Sequence, residues 1–74
     1  MNNQRRKRIN QSIKTLETAR ASLSKILEEQ KIQIKVTPKS EEDLLEKLDE
    51  IVDNLEETVS SLDSALETLN GADF

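Results

Sequence analysis

The residues of this chain that could do chemistry are nearly all charged, and they fall into two blocks. Arg5, Arg6, Lys7 and Arg8 form a run of cations near the start, and Arg20 adds another further along. Such a cluster can bind phosphate, and so implies nucleic acid, an anionic nucleotide or an acidic partner protein. Phe74 is the only aromatic residue, with no Trp or Tyr, so there is no platform on which bases would stack. The second block is acidic: Glu46, Asp49, Glu50, Asp53, Glu56, Glu57, Asp63 and Glu67. It reads as a solvated helix face or as an interface for a basic protein, with mimicry of a nucleic-acid backbone as one form of the latter. Calcium is disfavoured, because the loop pattern of a calcium site is absent and rigid helices seldom gather six or more oxygens.

Missing residue types prune the alternatives. With no His and no Cys there is no ordinary zinc site, no histidine base and no cysteine nucleophile. The expectation is a protein that is not an enzyme and has no cofactor and no metal. The apolar runs are short and interrupted by charge, so no membrane partner and no signal peptide are expected; a cytoplasmic location follows from that reading.

The charges must be positioned by something, and their distribution suggests what. Residues 1–37 carry nine Lys and Arg against three Glu, or +6, and residues 38–74 carry two Lys against twelve acids, or −10. Opposite halves attract, and two helices joined by a short connection run antiparallel. Arg5 to Arg8 would then lie beside the end of the second helix, near Asp63, Glu67 and Asp73, which offsets the unfavourable placing of cations at a helix start.

The clearest element is the second helix, predicted over 40–70. Leu45, Leu48, Val52, Leu55, Val59, Leu62, Leu66 and Leu69 are spaced three, four, three, four, which is the seam of a helix packed lengthwise against others. Leu45, Val52, Val59 and Leu66 take the a seats, and Leu48, Leu55, Leu62 and Leu69 the d seats. Leu44, Ile51 and Ala65 in g seats broaden this face, as in a helix with more than one neighbour. Ser40 is a candidate cap, with Asp43 three residues on, and Thr37 with Pro38 is a competing start. Gly71 is the expected left-handed terminus. Beyond it lies a tail in which Phe74 is expected to fold onto the bundle end, with an exposed anchor as the alternative.

The first helix is predicted over 5–30, after a frayed start at Met1 to Gln4. Ile9, Ile13, Leu16, Leu23, Ile26 and Leu27 form its apolar side, and Ala19 fills a close-approach seat. Arg20 and Gln30 occupy seats of the seam, where a polar residue often fixes register or partner number. Arg20 could reach an acid of the second helix or belong to a ligand pocket at the centre of an oligomer. Residues 31–36, KIQIKV, alternate apolar and polar, the pattern of a half-buried strand. The connection 31–39 is therefore expected to be an extended arm, a short strand or a continuation of the helix, and Ile32 and Ile34 are the residues another protein would recruit.

RRKRINQSIKTLETA at the start and EKLDEIVDNLEETVSSLDSALETL at the end resemble small helical proteins encoded by bacteriophages and prophages, most without assigned function. The resemblance covers both helices but not KIQIKVTPKS. It implies a non-enzymatic phage accessory protein, placed in the host cytoplasm, that binds and inhibits a host factor. It transfers no functional residue.

The fold expected is therefore all-α: an antiparallel two-helix hairpin assembled as a four-helix bundle dimer or higher oligomer. Its core would be the eight a and d residues above with Ile13, Leu16, Leu23 and Leu27, because the apolar stripes of 74 residues are too exposed in one copy. The expected partners are a second copy and another protein, with Asp49, Glu56, Asp63, Ile32 and Ile34 in contact. Nucleic acid or a nucleotide bound through Arg5, Arg6, Lys7, Arg8 and Arg20 is the alternative.

Overall fold

The computed structural model describes residues 2–72, so Met1, Asp73 and Phe74, with the expectations placed on them, lie outside the described residues. Two helices account for nearly all of it: α1 (Asn3–Val36) and α2 (Glu42–Gly71). At about 1.5 Å per residue these are rods of roughly 51 and 45 Å. Packed lengthwise, they give a molecule of 59 × 15 × 14 Å. The hairpin has two ends: a base, where α1 starts and α2 finishes, and a tip at the connection.

α1 begins where Asn2 supplies a cap. Its Oδ1 accepts from the Arg5 N–H at 2.8 Å, and its carbonyl accepts from the Arg6 N–H at 3.2 Å. The helix thus starts two residues before the predicted boundary despite the cations in its first turns. It also runs six residues past the predicted end, because KIQIKV is helical. Of the three expectations for that stretch the helical continuation is the one observed, and no strand occurs among the described residues. The physical reason is that a strand needs an edge to pair with, and the hairpin offers none, whereas each added helical residue closes one more hydrogen bond. The alternation misled because only Ile34 and Thr37 of this region fall in the seam.

α1 ends at Thr37. Its N–H donates to the Ile34 carbonyl at 3.3 Å and its hydroxyl donates to the Gln33 carbonyl at 2.6 Å, so two terminal carbonyls are satisfied and the residue is buried. Pro38, which cannot continue the hydrogen-bonded ladder, opens a turn closed by the Glu41 N–H donating to the Pro38 carbonyl at 3.0 Å. Ser40 sits inside that turn. It is not the cap, and Thr37 with Pro38 is not the helix start; Glu41 takes the cap position with no side-chain hydrogen bond. What favours the start of α2 is charge, since Glu42 and Asp43 lie in its first turn.

At the other end Gly71 is still helical and has no positive φ. The helix instead closes with the Ala72 N–H donating to the Leu69 carbonyl at 3.3 Å, and the chain leaves extended. The left-handed terminus expected at Gly71 is absent.

Burial follows the predicted seam. Ile13, Leu27, Leu48, Val52 and Leu66 are the buried apolar residues, each retaining 8 % exposure, and none of the described side chains is completely buried. Ile9, Leu16, Leu23 and Ile34 of α1 and Leu45, Leu55, Val59, Leu62 and Leu69 of α2 are half-buried. Two helices in contact shield one side of each other and leave the rest of each apolar stripe at the water boundary.

Candidate interaction surfaces

In an antiparallel pair of helices with heptad seams, the e seats of both helices share one flank and the g seats share the other. The structure identifies the e flank directly. Lys31 reaches Glu56, Nζ to Oε1, at 3.9 Å, and also lies 4.0 Å from Glu28 one turn before it on α1. Arg20, in the seam of α1, reaches across to Asp63 with both Nε and Nη2 donating, the latter at 3.3 Å. The planar fork of the guanidinium suits a carboxylate engaged through both oxygens. Hydrogen bonding to Asp63 raises the already high pKa of Arg20, and the same hydrogen bond holds the Asp63 carboxyl below the usual carboxylate range.

This pairing divides the sequence-predicted acids. All of these acids are exposed, but Glu56 and Asp63 are paired with cations of α1, whereas Asp49, Glu46, Glu50, Asp53, Glu57 and Glu67 have no cation within 4.0 Å among the described residues. Like-charged neighbours one turn apart, such as Asp49 with Asp53, repel. The strip they form holds excess negative potential on one side of α2. No group of three or more acids among the described residues is arranged to hold a metal ion.

The basic cluster lies at the base. Arg5, Arg8, Ile9 and Ser12 of α1 line a shallow groove with Leu69 of α2, so the apolar end of the seam is flanked by two guanidinium groups. Among the described residues no carboxylate lies within 4.0 Å of Arg5, Lys7 or Arg8. Arg20 is separate from this cluster, tied to Asp63 three turns along α1. The five cations proposed from sequence for anion binding are therefore not brought together.

At the tip, Ile32 is 58 % exposed and Val36 68 %. Ile34, by contrast, turns into the seam and is half-buried. The two isoleucines singled out as a shared recruiting edge thus point to different sides. Sequence reasoning missed Thr37, whose seat was legible: counting heptads from Leu16, Leu23 and Gln30 reaches it. Gln30 itself sits in the seam with its Oε1 buried and without a hydrogen-bond partner.

No described helix is long and apolar enough to cross a membrane. The chain matches no known protein family, no curated protein and no solved structure.

Proposed function

We propose that this chain is a non-enzymatic interaction module whose acidic strip on α2 binds a basic surface of another protein. The observation that carries this reading is the division of the acids. Glu56 and Asp63 are used inside the hairpin, while Glu46, Asp49, Asp53 and Glu57 stand exposed beside one another on a rigid helix. The repulsion among them costs helix stability, and a cationic partner relieves it. The resemblance of both helices to small phage-encoded proteins makes a host protein the partner class in this reading, with inhibition as the outcome of covering its basic surface.

The test is recovery of a partner by the unaltered chain, followed by direct titration of that purified partner. D49K/D53K should lower affinity at least tenfold, and raising salt should weaken binding by screening. These positions are preferable to Glu56 and Asp63, whose replacement would also disturb Lys31 and Arg20. Unchanged affinity in D49K/D53K would sink the reading.

One observation favours a second reading: the apolar groove at the base is flanked by Arg5 and Arg8 and has no acidic residue in its lining. An anionic ligand such as single-stranded nucleic acid would bind there with affinity that falls steeply with salt. Absence of binding to oligonucleotides at low salt removes it.

A further inference from the structure

The flank opposite the charge pairs begins at the base with Arg5 and is uncharged along the rest of both helices. On α2 its g seats are Leu44, Ile51, Thr58 and Ala65. On α1 the equivalent seats after Arg5 are Ser12, Ala19, Ile26 and Gln33. All are exposed, Ile26 and Leu44 at 41 % and Ile51 at 43 %. In a chain whose residues are 35 % charged, a strip this long that merely faced water would be expected to carry charge.

We propose that a second copy of this chain covers the uncharged flank, running antiparallel to the first, so that two hairpins form a four-helix bundle. The proposal goes beyond the partner-binding reading above, is independent of it and uses the opposite flank. Three observations support this occupant and this orientation.

The first is area. The chain exposes 5905 Å², whereas a compact monomer of its mass would expose about 4,600 Å². The excess of about 1,300 Å² exceeds the roughly 800 Å² that each partner contributes to a standard interface. A rod-shaped hairpin covered along one flank by another rod removes that kind of surface.

The second is taper. Towards the base the strip is built of small residues, Ser12, Ala19 and Ala65, and towards the tip of large ones, Ile26, Ile51 and Leu44. Two such strips laid antiparallel set the thick half of each on the thin half of the other, and the rods stay evenly spaced. Laid parallel, they would stack thick on thick and splay.

The third is charge at the ends. The strip ends at the base in the groove of Arg5, Arg8, Ile9 and Leu69, and at the tip where Leu44 lies among Glu41, Glu42 and Asp43. Antiparallel packing brings the acidic corner at Glu41, Glu42 and Asp43 of one copy to Arg5 and Arg8 of the other, with Leu44 directed at the Ile9 and Leu69 groove. Parallel packing would set arginines on arginines.

Sedimentation equilibrium of the full chain should give twice its mass of 8.4 kDa. I26E/I51E would bury charges in the contact and should raise the dissociation constant at least about 100-fold. I32E/V36E, on the more exposed outer surface, should leave the mass unchanged. A dimer that survives I26E/I51E overturns the choice of flank, and a monomeric unaltered chain overturns the proposal. Orientation is read in the unaltered interface, so it does not depend on those variants folding. A nitroxide on Q11C, mixed with isotopically labelled unaltered chain, should broaden the amide signals of residues 37–46 in the labelled copy. Broadening confined to residues 3–14 would overturn the antiparallel arrangement. A monomer that still binds its protein partner would leave the acidic strip standing, and a dimer indifferent to D49K/D53K in partner binding would do the reverse.

Discussion

At the scale of single residues, two polar side chains in the seam of α1 behave differently, and the difference is one of solvation. Arg20 leaves the seam for the e flank, keeps its head in water and meets Asp63. Gln30 keeps its Oε1 buried without a donor, which costs free energy without a compensating bond. Gln30→Leu should therefore stabilise the protein by about 1 to 2 kcal/mol in chemical denaturation, and destabilisation would show that the amide is satisfied in solution. The Arg20 pair makes a pH prediction. The Asp63 carboxyl is held below its ordinary value when folded, so the unfolded chain takes up the proton first as pH falls, and the stabilisation from the pair is lost through and below the carboxylate range. Asp63→Asn should be less stable than the unaltered chain at pH 7, with the gap closing as pH falls below about 4. A gap constant from pH 7 to pH 2 would show that charge plays no part.

At the scale of elements, regularity decided what the sequence could reveal. In α2 every a and d seat is Leu or Val, so the helix was legible to within two residues at each end. Its caps were not, because capping depends on φ and ψ at one residue, and Ser40 has the right side chain in the wrong place, inside the Pro38 turn. Asn2→Ala should cost about 1 kcal/mol by removing the bond to the Arg5 N–H. Ser40→Ala should change stability by less than about 0.5 kcal/mol, as expected for a surface residue outside such a feature. Glu41→Asp, which shortens the side chain to reach the start of α2, should add up to about 1 kcal/mol. Equal losses at Asn2 and Ser40 would restore the serine as a cap. α1 was harder to bound because Arg20 and Gln30 interrupt its seam and KIQIKV carries two periods at once. The helical one prevails since the seam continues through Ile34 to Thr37 while Ile32 and Val36 tolerate solvent. The candidate sites were legible as clusters of like charge, but not the division of the acids by flank, which needs the register between helices that Arg20 and Lys31 reveal.

At the scale of the whole molecule, the base and tip charges act along the rod rather than across the seam, and this makes the proposed pairing of copies separable from the stability of each hairpin. Replacing Arg5 and Arg8 by Glu removes cations from the first turns of α1, where they oppose the helix dipole, so the hairpin itself should not weaken. In an antiparallel dimer the same change sets an acidic base against the acidic tip of the other copy. R5E/R8E should therefore weaken association about tenfold or more at low salt while helicity is retained. Adding E41K/E42K to that chain reverses the tip as well and should restore association, because each reversed base then meets a reversed tip. In a parallel dimer the base would face its own copy, so R5E/R8E would exchange one like-charged contact for another and leave the affinity nearly unchanged. Sedimentation of the two variants at low and high salt distinguishes the cases: loss in the first and recovery in the second, both fading as salt rises, is the antiparallel result. Equal affinity of all three chains would show that the ends do not meet.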